Sequence, residues 1–235
     1  MARISPIATR KPRFIGTRML GGVIFDFDGV IADSHPAHMQ AWKSFLHSKG
    51  KPVSDAELSF VREGAKREEI LRHFLGELTP EQAASYGAEK EKLFHAIAGE
   101  LKLVQGFPEF LLQLDAAELP SAVASSGSRS RVERALGIFN ILDRFRAVVT
   151  AEDVSRGKPD PALFLLAAQA LQIDPRCVLV CEDAIAGVRA AKSAGMQCMG
   201  IADNGRRTML KQAGADLAVS DFTHTSLDEV RRLFA

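Results

Sequence analysis

The chain of 235 residues is poor in cysteine, close to neutral, and holds no apolar run long enough to cross a bilayer. Its three cysteines, Cys177, Cys181 and Cys198, cannot all pair among themselves, and no CxxC or His/Cys cluster accompanies them. A disulfide scaffold and a zinc site are therefore disfavoured. Each cysteine is expected to fill a core position, as a small buried hydrophobe does, and a reducing, cytoplasmic setting fits. The net charge is +1, with 25% charged and 46% hydrophobic residues. That balance belongs to a soluble globular protein and implies neither nucleic acid nor a membrane as partner. Internal repeats and low-complexity segments are also missing. The oligomeric state stays open, with a monomer the simpler expectation.

What charge there is lies unevenly. Residues 1–18 carry Arg3, Arg10, Lys11, Arg13 and Arg18 and no acid, which leaves a net −4 on the rest. The tail has no apolar stretch resembling a secretory segment. A transit peptide can look like this, but the tail reads first as a disordered basic extension or a misassigned start, with Met19 a natural initiator.

Short apolar runs recur at Gly22–Phe27, Ala122–Ser125, Ala147–Thr150, Val178–Cys181, Met196–Ile201 and Leu217–Val219, each followed by a helical pattern. Strands without clean alternation, separated by helices, predict a parallel sheet buried on both faces, and hence an α/β fold. One interval breaks the rhythm. Ser34 and Pro36 open a helix with an apolar stripe of Ala41, Trp42, Phe45 and Leu46, and Gly50 follows its end. Ser54 with Glu57 makes a capping box, and Thr79, Pro80 and Gln82 make another helix start. Ile70, Leu71, Phe74 and Leu75, and later Leu93, Phe94 and Ile97, fall at helical spacing. Residues 34–101 therefore read as a small helical domain inserted into a core of residues 19–33 and 102–235. The chain returns to the core through LVQGFPEF, where Gly106 and Pro108 suit a hinge. Asp33 falls at the departure point and is assigned to that hinge.

In an open parallel sheet, ligands bind at the carboxyl ends of the strands. Those positions hold Asp26 and Asp28, then Ser125, Ser126 and Gly127, then Glu182 and Asp183, with Lys158 arriving from the loop GKPDP. Two carboxylates 4 Å apart repel by about 4 kcal/mol at an effective dielectric near 20, so such a cluster needs a cation. An all-oxygen donor set suits Mg²⁺ beside a phosphate. Carboxylates, Mg²⁺ and a lysine together imply phosphoryl transfer. Asp26 is then the nucleophile that forms an aspartyl phosphate. Asp28 is the acid and base, a role that a raised pKa would assist. Ser125, with the amides from Ser126 to Ser128 at the next helix start, meets phosphate oxygens. Singly, each fragment has a plainer reading: a solvated turn, a loop, or Asp183 as N-cap of a helix from Ala184 to Ala194. Four such fragments in order, each at a strand end or helix start, favour the functional reading.

These fragments resemble the haloacid dehalogenase superfamily, in its phosphatase branch. FDFDGVIADS is similar to that family's first motif, VASSGS to its second, GKPDP to its third and VCEDAIAGVRAAKSAGM to its fourth. The resemblance implies a Rossmann-like core with a mobile helical cap. It also implies Mg²⁺ held by Asp26, the backbone carbonyl of Asp28, and Asp183, with Glu182 close by. Within the insertion, DSHPAHMQAW, REGAKREEIL and KEKLF resemble the β-phosphoglucomutase and sugar-phosphatase group. That likeness implies that Ser34, His38, Arg67 and Lys90 face the substrate. His35, His47, His73, His95 and His224 have no such support and read as structural or solvated.

The resulting expectation is a Mg²⁺-dependent phosphatase of small phosphorylated metabolites, most simply sugar phosphates. A phosphosugar mutase is the alternative. It would need a grip on a second phosphate, and the lysine common just beyond the second-motif serine is missing unless Arg129 replaces it. A phospho-aspartate switch module of the receiver type fits poorly, because DxD lies on the first strand and a helical insertion follows. A catalytically dead binding relative finds no support, since every required group is present.

Overall fold

All six apolar runs become strands of one parallel sheet: β1 (Gly22–Phe25), β2 (Ser121–Ser125), β3 (Ala147–Thr150), β4 (Val178–Glu182), β5 (Gln197–Ile201) and β6 (Leu217–Val219). The computed structural model describes residues 18–63, 67–97 and 101–235. All of the basic tail but Arg18 lies outside the described residues. Strand order is β3-β2-β1-β4-β5-β6, so the order reverses between β1 and β4. The crevice at that reversal is where a doubly wound sheet places its ligand.

Three helices follow β1: α1 (His35–Ser48), α2 (Arg67–Leu75) and α3 (Pro80–Ile97). The others are α4 (Phe107–Ala116), α5 (Arg129–Ile138), α6 (Ala162–Leu171), α7 (Ile185–Ser193), α8 (Asn204–Gln212) and α9 (Leu227–Arg231). Alternation along β1 sends Val23 and Phe25 to one face and Ile24 to the other. Val23 and Phe25 join an apolar cluster with residues of α4, α5 and α9, while Ile24 packs with α6 and α7. Phe25 anchors the first cluster by edge-on contacts to Phe107 at 5.2 Å and to Phe110 and Phe222 at 6.2 Å. Such pairs add about 1 kcal/mol each beyond area burial. Cys181 and Cys198 are buried in the sheet, as expected of free cysteines, whereas Cys177, in the 3₁₀ turn before β4, is only half-buried.

The first strand stops at Phe25, two residues short of the expected Phe27. Gly29, at φ +75°, turns the chain back, and the amides of Ile31 and Ala32 both bond to the Phe27 carbonyl. A Cβ at position 29 would run into Asp183 and His35, so glycine is needed for space as well as for backbone conformation.

The inserted helices carry their own apolar cluster, in which Trp42, Phe45, Leu46, Leu58, Ile70 and Leu71 are buried. Both sequence-read capping boxes are present. Ser54 and Glu57 exchange side-chain and backbone bonds, and so do Thr79 and Gln82. Thr79 opens α3, but the Ser54 box opens turns and the 3₁₀ helix Ser59–Glu63 instead of an α-helix. Leu58 is fully buried there, and Phe60 and Val61 pack against the same cluster. Where the chain leaves and re-enters the core, the Asp33 amide bonds to Lys102 O at 2.9 Å and Ala32 bridges Leu103. Asp33 is exposed, as befits a connector. Gly106, at φ +76°, passes so close to the Thr223 backbone that no side chain fits.

Candidate active site

A cavity of about 660 Å³ lies between the carboxyl ends of β1 and β4 and the inserted helices. Its floor holds Asp26, Asp28, Lys158, Glu182 and Asp183, and its wall includes Ser126 to Ser128. Residues from four separated sequence fragments therefore meet in one place.

Lys158 is the counter-ion of the floor. Its Nζ donates to Asp26 Oδ1 at 2.5 Å and to Glu182 Oε1 at 2.6 Å. Burial would push this ammonium down, but Asp26 and Glu182 override it and push it up. Asp26 is held well above the usual carboxylate range by burial, with Glu182, Asp183 and Asp28 adding to the rise against the pull of Lys158. Burial pushes Glu182 up as well. One lysine thus leaves the floor short of positive charge.

Glu182 lies on the floor beside Asp26 and Asp183, at the end of β4. Its Oε1 accepts from Lys158, its Oε2 accepts the Ala184 amide at 2.7 Å, and Gly187 packs against it. Glu182 thus holds Lys158 and the turn into α7. Asp183 is not the N-cap of that helix, which starts at Ile185 behind Ala184. Its Oδ2 lies 2.8 Å from His35 Nε2, and Arg206 donates to its backbone carbonyl at 2.8 Å.

No three His, Cys, Asp or Glu side chains among the described residues form a ready metal cage. Mg²⁺ does not need one, because it keeps several waters and binds through one or two carboxylates. Asp26 and Asp183, both buried oxygen donors in a charge-deficient floor, fit such an ion.

Asp28 stands apart from this floor chemistry. Arg131 grips it with both ends of its guanidinium, Nη1 to Oδ1 at 2.8 Å and Nη2 to Oδ2 at 2.6 Å. Ser34 Oγ donates to Oδ1 at 2.7 Å, and His38 Nε2 lies 3.3 Å from the same atom. Burial would raise Asp28, but the Arg131 charge and hydrogen bonds hold it well below the usual range. The raised pKa that would assist an acid at this position is therefore not found at Asp28.

The insertion supplies a chain of donors to Asp28. Lys90 Nζ is 2.8 Å from His38 Nδ1, and the His38 ring stacks on Phe94 at 4.2 Å. Burial lowers His38, keeping the ring neutral, and lowers Lys90 to about 8. With Lys90 donating to Nδ1, the proton of the neutral ring belongs on Nε2, which then donates to Asp28. That tautomer satisfies both contacts. Arg67 reaches the cavity wall but bonds the Glu68 carboxylate at 3.0 and 3.2 Å.

Of the sequence-read residues, Asp26, Asp28, Ser126, Gly127, Lys158, Glu182, Asp183, His38, Arg67 and Lys90 line the cavity. Ser125 is fully buried, and its Oγ accepts the Gly127 amide at 3.0 Å, shaping the turn instead of forming the wall. Ser34 is likewise buried and acts through Asp28. Arg129 faces away, bound to Glu133, Asp153 and the Val148 carbonyl, so it does not stand in for a mutase lysine. Two residues escaped the sequence reading. Arg131 enters the site in place of Arg129, and His35, read as structural, meets Asp183.

A parallel sheet with buried carboxylates and a lysine at its reversal point, under a helical insertion, is the build of a Rossmann-like hydrolase. Residues 23–201 match the family described as haloacid dehalogenase-like hydrolase. The chain belongs to that family. It is 35% identical to validoxylamine A 7'-phosphate phosphatase of Streptomyces hygroscopicus subsp. limoneus, covering 85% of this chain and 93% of the relative. It is 33% identical to β-phosphoglucomutase of Bacillus subtilis, covering 88% and 92%. A family IA hydrolase of this superfamily from Entamoeba histolytica superposes with a TM-score of 0.83 at 27% identity, covering 91% of this chain and 98% of that one.

Proposed function

We propose that the protein is a Mg²⁺-dependent phosphatase of small phosphorylated metabolites, in particular sugar phosphates, acting through an aspartyl phosphate on Asp26. The observation that carries this reading is the Asp26–Lys158 contact at 2.5 Å on the floor of a cavity that also holds Asp28 and Asp183. Lys158 orients the Asp26 carboxylate and offsets the charge of the arriving phosphate. The Asp26 oxygen attacks phosphorus as the bond to the sugar oxygen breaks, and Asp28, which Arg131 holds ionised until it has taken up a proton from solvent, gives that oxygen its proton. Asp28 then takes a proton from water, whose oxygen attacks the phosphoryl group, returning free Asp26 and inorganic phosphate. Mg²⁺ bound by Asp26, the Asp28 carbonyl and Asp183 would supply charge neutralisation and orientation.

The helices of residues 34–101 act as a cap over this floor. Trp42 and Arg67 on its inner wall suit a hydroxyl-rich leaving group. No helix among the described residues is long and apolar enough to cross a membrane. Phosphate release from a panel of sugar phosphates tests the reading, and a lack of turnover across the panel sinks it.

Mutase chemistry is the second reading, favoured by two guanidinium groups, Arg67 and Arg131, on the cavity wall. Each already has a carboxylate partner, Glu68 and Asp28, which argues against a standing site for a second phosphate. Incubation with β-glucose 1-phosphate and a trace of the bisphosphate separates the two. Inorganic phosphate supports hydrolysis, and glucose 6-phosphate without phosphate release reverses the assignment.

A further inference from the structure

Arg131 lies outside all four sequence motifs, yet its side chain is only 7% exposed and faces both parts of the protein. It starts on α5 of the core and closes a planar, two-bond grip on Asp28. Its Nε lies 3.5 Å from Glu91 of α3, and its guanidinium sits between the rings of Phe27 at 5.7 Å and Phe94 at 5.4 Å. Gly127 is the neighbour that leaves it room, since any Cβ there would occupy the Nη2 position. A guanidinium gripping both oxygens fixes the plane of a carboxyl group, which an ammonium at one point cannot do. Asp28 must present one oxygen to the sugar oxygen and later to water, so its orientation sets the rate of both proton transfers.

We propose that Arg131 is the positioning residue for Asp28, and that its contacts with Glu91 and Phe94 tie the orientation of Asp28 to the seating of the inserted helices. The proposal rests on the phosphatase reading above. It distinguishes two kinds of ester. A sugar oxygen leaves only with a proton from Asp28, whereas a nitrophenolate leaves as a stable anion without one.

The test compares kcat/KM for the best-hydrolysed sugar phosphate with that for p-nitrophenyl phosphate, in the full chain with Mg²⁺, alongside thermal unfolding of each variant. Arg131→Gln should lower the sugar phosphate by roughly 100-fold or more and the nitrophenyl ester by about tenfold or less. Arg131→Lys, which keeps the charge without the fork, should recover only part of the difference, and it decides the matter if the Gln variant does not fold. Glu91→Gln should shift the ratio in the same direction by less. Equal losses on both esters, or a gain on the sugar phosphate, overturn the positioning role, and an unmoved ratio in Glu91→Gln overturns the tie to the insertion. If the wild-type chain hydrolyses neither ester, the phosphatase reading itself fails.

Discussion

Lys158 Nζ lies 2.5 Å from Asp26 Oδ1, across 132 residues of sequence, and the same ammonium bonds Glu182 at 2.6 Å. All three side chains are at most 10% exposed. Removing the cation leaves two buried carboxylates without compensation. Lys158→Met should therefore cost on the order of 3 to 5 kcal/mol, read as a lower urea midpoint in the absence of Mg²⁺. A loss under about 1 kcal/mol, the size of an exposed pair, would show that the lysine is not a structural counter-ion.

The pH response should carry the mark of Lys90. Burial lowers this group from 10.5 to about 8, so between those values the unfolded chain binds a proton that the folded chain does not. Stability then rises with pH across that window and is lost as pH falls through about 8. Relative to Lys90→Met, the wild type should gain on the order of 3 kcal/mol from pH 8 to 10.5. Denaturant titrations of both chains at the two ends measure it, and a constant gap between them contradicts a buried, depressed Lys90.

Gly187 offers a third check. A Cβ at this position would overlap the Glu182 carboxylate, which is buried and carries both the Lys158 and Ala184 contacts. Gly187→Ala should destabilise by about 1 to 3 kcal/mol through overpacking, despite the better helix propensity of alanine. A neutral or stabilising effect in thermal unfolding would mean that Glu182 does not sit against α7 as described.

The sheet was readable because both-face burial writes each strand as a short apolar run, and Ala147–Thr150 and Leu217–Val219 matched residue for residue. Lys158 was readable because its loop GKPDP combines turn chemistry with one cation. Glu182 was legible as a strand-end carboxylate, but its bonds to Lys158 and the Ala184 amide were not, since both partners are fixed by the fold and not by spacing. Arg131 left a faint signal. On α5 the buried positions are Arg131, Val132, Ala135 and Leu136, so the arginine lies within the apolar stripe and reads out of place there. His35 left none, because its partner Asp183 is 148 residues away and adjacency to Ser34 says nothing about direction.

The central claim is that Asp26 carries the phosphoryl group. The most direct measurement is inorganic phosphate release from the best sugar phosphate of the panel, by wild-type and Asp26→Asn protein at equal concentration with Mg²⁺. Circular dichroism confirms that both are folded. Asp26→Asn keeps the side chain's shape and removes its nucleophilic oxygen, so phosphate release should vanish while the fold remains. Sustained turnover by the folded Asp26→Asn protein would contradict the account.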